Sequence, residues 1–232
     1  MRKIKIPKID NIIIKSLDEF YSLIQTGRNQ QAMNLAKKYI NICKKIIYIG
    51  KPDDNKYNSA SMAIFLGILL RGLQDYISIK KIIEKDNWQN DNGLIEEVWM
   101  LMWDCKIRLE YGSNLYNHKV ISIADDMIKS LKQLFLSKFG PGMYFSPDII
   151  IEKVVCSICK RDFRACEHIS GRIYNGTICR RIPGNVRLKS ISLVEVPADP
   201  RCRVWPWRLK EDRTMEAMVL SSFRLDDFLD KS

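Results

Sequence analysis

Three cysteines and one histidine in a single short stretch carry the donor atoms that a soft metal ion needs. Cys156-Ser-Ile-Cys159 is followed, after six spacer residues, by Cys166-Glu-His168. Zinc takes four soft or borderline ligands at tetrahedral corners, and three thiolates with one imidazole satisfy it. Two cysteines separated by two residues bite one ion from a single turn, and the next loop supplies the second pair. The C-x-H pair is tighter than the usual second pair, so Cys179 competes with His168 or Cys166 for a corner. Four protein ligands close the coordination sphere and leave no position for an activated water. The ion read here is therefore structural Zn2+, and no residue is assigned a catalytic role. The bland alternative, reduced thiols beside a chance histidine, has to explain four candidate ligands within thirteen residues. The nearby carboxylates, Asp162 and Glu167, read as solvated loop residues.

The second chemical signal is arginine. Arg2, Arg28, Arg71 and Arg108 precede this stretch, and ten more fall between Arg161 and Arg213. Arg161 and Arg164 lie inside the metal loop. Arg172, Arg180, Arg181 and Arg187 follow, and Arg201, Arg203 and Arg208 interleave with Trp205 and Trp207. Guanidinium groups fork onto phosphate, and indoles stack on unpaired bases. A formal net charge of +11 points the same way, to an anionic partner: nucleic acid first, an acidic protein second. The competing reading makes Trp205-Pro206-Trp207 a strap plugged into the helices, with its arginines paired to acidic residues there.

Enzymatic patterns fail on inspection. There is no G-x4-G-K-[ST] phosphate loop and no G-x-S-x-G elbow. A HEPN-type ribonuclease needs a histidine four to six residues after an arginine, but Arg108 and His118 stand ten apart. His118 reads as a surface residue near the start of a helix.

The elements that must position these groups are mainly helical. Residues 1–15 alternate basic residues and isoleucine and predict an arm or edge strand. Ser16-Leu-Asp-Glu19 has the capping-box form and predicts a helix to about Thr26, stopped by Gly27. Apolar residues at three-and-four spacing predict a second helix over about 29–49. Ser59 caps a third, to about Glu84, whose first half is apolar all round and belongs in the middle of a bundle. Lys85–Gly93 reads as a loop. A fourth helix follows over about 94–111 and a fifth over about 119–139, ended by Gly140-Pro-Gly142. Trp99 and Trp103 invite a ligand pocket but read better as core aromatics at helical spacing. Residues 16–139 thus form a bundle of about five helices.

Residues 140–208 read as a small zinc-binding module. Tyr144, Ile149-Ile-Ile151, Val154-Val155, Ile191-Ser-Leu-Val194 and Val196 predict short strands. Gly171, Gly176 and Pro183-Gly184 mark turns. So small a module needs the stability a metal supplies. Residues 209–232 end the chain as an amphipathic helix or tail. The fold class is α+β, mainly α. The 232 residues and 46 % apolar content supply ample core. Five of the seven cysteines lie after residue 155, a distribution that fits a reducing cytoplasm rather than a disulfide framework. The longest apolar run, Ala60–Leu70, is about half of a membrane span, and no targeting segment stands out.

The run Cys156–Cys179, with Cys166-Glu-His-Ile-Ser-Gly171 and Tyr174-Asn-Gly176, is followed by Ile191-Ser-Leu-Val-Glu-Val-Pro-Ala-Asp-Pro200. It resembles the zinc-bearing segment of proteins related to tailed-phage prohead maturation proteases, in which a Cys/His knuckle precedes a strand ending in a Pro-Ala-Asn-Pro-like turn. The resemblance implies a phage-related ancestry and, by analogy, a place in phage or anti-phage defence. That family's serine, in a G-[LV]-S-I-G-like strand, and its upstream histidine have no counterpart here. Ser190 stands where the family has a glutamate, so no catalytic residue carries over. Together these features predict a cytoplasmic, zinc-stabilised binding protein that contacts nucleic acid. Its rivals are a protein–protein adaptor or subunit, and a divergent hydrolase.

Overall fold

The computed structural model of the chain describes residues 9–49, 59–174, 176–208 and 229. Among them are five long helices: α1 (Ile9–Gln25), α2 (Asn29–Ile49), α3 (Ser59–Ile83), α4 (Asn92–Ser113) and α5 (Lys119–Phe139). A helix with no polar face has to be surrounded. In α3, Ile64, Leu66, Ile68, Leu69, Leu70 and Leu73 are all 0 % exposed. α2 and α4 flank it, and α1 and α5 complete its cover. α3 is also long and apolar enough to cross a membrane by length and composition, but 78 % of its most apolar window is buried inside the protein. α3 and α4 come close because Gly112 faces Leu69: a Cβ on Gly112 would stand 3.0 Å from the Leu69 Cβ.

One charge pair lies inside that contact. Arg108 donates to the Asp75 carboxylate, and both side chains are almost fully buried. Arg71 Nη1 stands 3.5 Å from the other Asp75 oxygen. Burial pushes the Asp75 carboxyl up to about 6, against the pull of Arg108 and Arg71.

Helix starts follow burial more than capping signals. α1 begins at Ile9, not at Ser16. Ile12, Ile13, Leu17, Phe20 and Ile24 form one apolar stripe that runs straight through Ser16, and burying it outweighs a cap there. The Ser16 hydroxyl instead donates to the Ile13 carbonyl 2.9 Å away. Residues 9–15 of the expected arm are therefore helical, and the rest of the arm lies outside the described residues. Asp91 caps α4 by accepting from Leu94 N. His118 caps α5: its Nδ1 accepts from Val120 N, and its Nε2 lies 3.1 Å from Asp18 Oδ1. The loop before α4 holds a 3-10 turn, Trp88–Asn90, with Trp88 buried. The amphipathic stretch expected over 209–229 lies outside the described residues except Leu229, which packs against the core.

The expected short strands are two long ones. β1 (Tyr144–Cys156) and β4 (Arg181–Val194) pair antiparallel into a two-stranded ribbon, and β2 (Ile173–Tyr174) pairs with β3 (Thr177–Ile178). Pro183-Gly184, expected as a turn, lies within β4 opposite Val154 and Lys153. Proline is tolerated there because both strands of a two-stranded ribbon are edges. Directly paired residues share a face. Ile149 meets Leu188, Ile151 meets Val186, Val155 meets Ile182, Pro147 meets Ile191 and Phe145 meets Leu193. One face is thus apolar along nearly its whole length. The ribbon joins the bundle at both ends, and Ile178 and Trp205 belong to the same core cluster as the helices.

Candidate metal centre

β1 delivers Cys156 at its last residue, and the chain turns at once. Cys156 N donates to Arg161 O and Lys160 N donates to Cys156 O, both at 2.9 Å, which folds Cys156 and Cys159 onto one side of the turn. Asp162 holds the next short turn by accepting from Arg164 N at 2.8 Å, and that turn leads to Cys166. The donor atoms of Cys156, Cys159, Cys166 and His168 all lie within 4.8 Å of one another. A tetrahedron of Zn–S bonds has edges of about 3.8 Å, so small side-chain shifts close the quartet on an ion. His168 Nδ1 is buried without a hydrogen-bond partner among the described residues, and the ring stands edge-on to Tyr174 with centroids 4.6 Å apart. The donor set therefore fits a metal.

Cys179, the expected alternate ligand, sits beside this quartet. Its Sγ is 3.7 Å from Cys156 Sγ. Burial, with the neighbouring sulfurs, pushes the Cys179 thiol up to about 11. Burial also acts to raise Cys156, but backbone N–H groups of Cys159 and Ile158 outweigh it and bring that thiol down to about 7. Either sulfur can be the donor across that contact. Cys43, Cys105 and Cys202 are buried elsewhere.

The knuckle is moored to the helices. Tyr111 Oη donates to Gly171 O at 2.6 Å. Gly176 has φ +71° and lies so close to α3 that a Cβ there would stand 2.9 Å from the Ala60 Cβ. Any side chain at 176 meets both a strained backbone and a collision.

The arginine-rich segment divides in two. Arg161, Arg164, Arg172 and Arg181 are exposed on the knuckle, and Arg180 is half-buried. Arg181 lies over the Phe163 ring, 4.4 Å from its centroid. Arg187 pairs with Glu152 across the ribbon at 3.6 Å. Arg201, Arg203, Trp205 and Trp207, expected as contacts to a ligand, are instead taken up inside the protein as the strap. Arg201 binds Asp199 and reaches Asp104 Oδ1 on α4 at 3.1 Å. Burial alone would raise the Asp199 carboxyl, but Arg201 holds it below its usual range. Arg203 Nη2 donates to Phe139 O and Gly140 O at the end of α5. Trp205 is 1 % exposed. Trp207 Nε1 and Arg208 both donate to the buried Glu96 of α4. Trp99 Nε1 donates to Pro200 O at 2.9 Å, which clamps the strap from the bundle side. Burying these indoles beside Trp99, Phe135 and Phe139 removes large apolar area from water, which an exposed stacking role would forgo. The roles of Tyr111 and Glu96 had no local sequence signal, since Gly171 and Trp207 stand 60 and 111 residues away.

No protein-family model, no curated protein and no solved structure matches this chain. The functional reading therefore stands on the site itself.

Proposed function

We propose that this chain is a zinc-stapled, non-enzymatic binding protein whose knuckle contacts nucleic-acid phosphates. A donor set of three sulfurs and one imidazole suits zinc among the common biological metals. The observation that carries the binding role is the knuckle's charge. Residues 156–181 hold six cations against two carboxylates. No carboxylate among the described residues pairs with Arg161, Arg164, Arg172 or Arg181. With the indoles inside the strap, the contact is to backbone phosphate and carries little base preference. Filter binding of a single-stranded oligonucleotide tests it. Four arginine–phosphate contacts give a log–log salt slope of about −3. Arg161→Ala with Arg164→Ala and Arg172→Ala flattens the slope and weakens binding at low salt. Binding that ignores salt, or the triple variant, removes the reading.

The ribbon favours a second reading, protein association. An isolated two-stranded ribbon is marginal in water. Leu188, Ile191 and Leu193 of its apolar face are 60 %, 58 % and 53 % exposed. A second copy of the chain fits that face. It matches in length and alternation, and Lys153 is the face's only charge, so two strongly basic chains meet there with little repulsion. The ribbon offers roughly 45 Å by 10 Å per copy, below a standard interface, so the dimer is weak. Sedimentation should show mass rising toward two chains from micromolar to millimolar protein. Leu188→Lys with Ile191→Lys should hold it at one. A wild-type monomer throughout that range sinks this reading and leaves the first untouched.

A further inference from the structure

A cavity of about 420 Å3 opens where the strap crosses the end of α5, within the range of small-molecule sites. Trp99, Trp103 and Phe135 wall it, and Lys132 and Arg203 bring cations to it. Trp99 meets Trp103 edge-on at 5.8 Å and Phe135 at 5.0 Å, so the aromatic wall is rigidly packed. Neither cation forms a close ion pair among the described residues, though Asp125 acts on Lys132 from a distance. Arg203 is 6 % exposed, and it donates to two carbonyls and meets the Tyr144 hydroxyl, none of them an anion at neutral pH. Its Nε has no partner among the described residues, and burial lowers its pKa. Lys132 Nζ lies over the Trp103 ring, 4.2 Å from the centroid, and burial lowers its pKa too. Trp103 Nε1, on a lining residue, is a further buried donor without an acceptor among the described residues. A buried cation and two orphan donors on residues that line a cavity call for an acceptor inside it. Glu195, exposed at the rim, is the cavity's one carboxylate among the described residues. Two cations against one carboxylate match a single negative charge better than a dianion.

We propose that this cavity binds a small aromatic carboxylate, its ring against the indole and phenyl wall and its carboxylate answering Lys132 and Arg203. The proposal is independent of the metal centre and of any nucleic-acid contact. Calorimetric titration of the full chain with naphthoate, and with naphthalenemethanol as its uncharged counterpart, tests it. The acid should bind one to one, and the alcohol at least about tenfold more weakly. Lys132→Gln should weaken the acid about tenfold and leave the alcohol and the melting temperature unchanged. No heat with millimolar naphthoate overturns the proposal. So does equal binding of acid and alcohol, or displacement of naphthoate by equimolar inorganic phosphate.

Discussion

With serine in place of Cys159, the proposed zinc site will lose its metal and the far end of the ribbon will open while the five helices stay folded. β2 and β3 have two residues each, and the knuckle's mooring includes the Tyr111–Gly171 hydrogen bond, the Gly176 contact, buried Ile178 and half-buried Ile173. Structural zinc contributes on the order of 10 kcal/mol in small metal-dependent folds, far more than those contacts can replace. The bundle has its own core around α3 and does not need the ion. Elemental analysis should fall from one equivalent to almost none. Limited proteolysis should cut between 156 and 181, with most helical circular dichroism retained. His168→Ala should do the same. Cys179→Ser should keep its metal, because Cys179 stands against Cys156 outside the converging quartet. A Cys159→Ser protein that keeps its metal and resists protease would overturn the assignment.

Methionine in place of Arg108 will destabilise the bundle by about 3–5 kcal/mol at neutral pH, because it leaves a buried carboxylate without its closest partner. Asp75 is 1 % exposed, so water cannot substitute. The loss should shrink on acidification. The Asp75 carboxyl already sits at about 6 in the folded protein, above its ordinary value. A carboxyl with a raised folded pKa holds its proton more tightly when folded than when unfolded. Stability from that source is present at low pH and is lost as pH rises through the folded value. Removing Arg108 raises that value further and widens the window upward. Urea unfolding at neutral pH and near about pH 5 measures the difference. Adding Asp75→Leu to Arg108→Met should recover most of the loss, since an apolar pair of similar volume often replaces a buried ion pair at little cost. A pH-independent loss under about 1 kcal/mol would contradict this account.

The metal quartet was legible because its four donors lie within thirteen residues and their types are rare elsewhere in the chain. α2, α4 and α5 were legible from apolar spacing, and α3 from its lack of a polar face. The rest depended on distant partners. Asp75 and Arg108 are 33 residues apart, and nothing local marks either as buried. Trp205, Trp207 and Arg201 have the same composition whether they face a nucleic acid or a helix. Glu96 and Asp104, which decide the matter, stand about a hundred residues earlier. Ser16 carried a correct capping pattern that a longer apolar stripe overrode. Pro183 read as a turn, and only a ribbon made of two edges accommodates it and Pro147 within paired strands.

All five tryptophans, Trp88, Trp99, Trp103, Trp205 and Trp207, gather around Phe135 and Phe139 at the strap end of the bundle. The opposite mooring, at the sulfur cluster, contains none. Ultraviolet emission therefore reports on one anchor alone, and cobalt in the thiolate site would colour the other. Following both signals during denaturation would show which end of the ribbon lets go first.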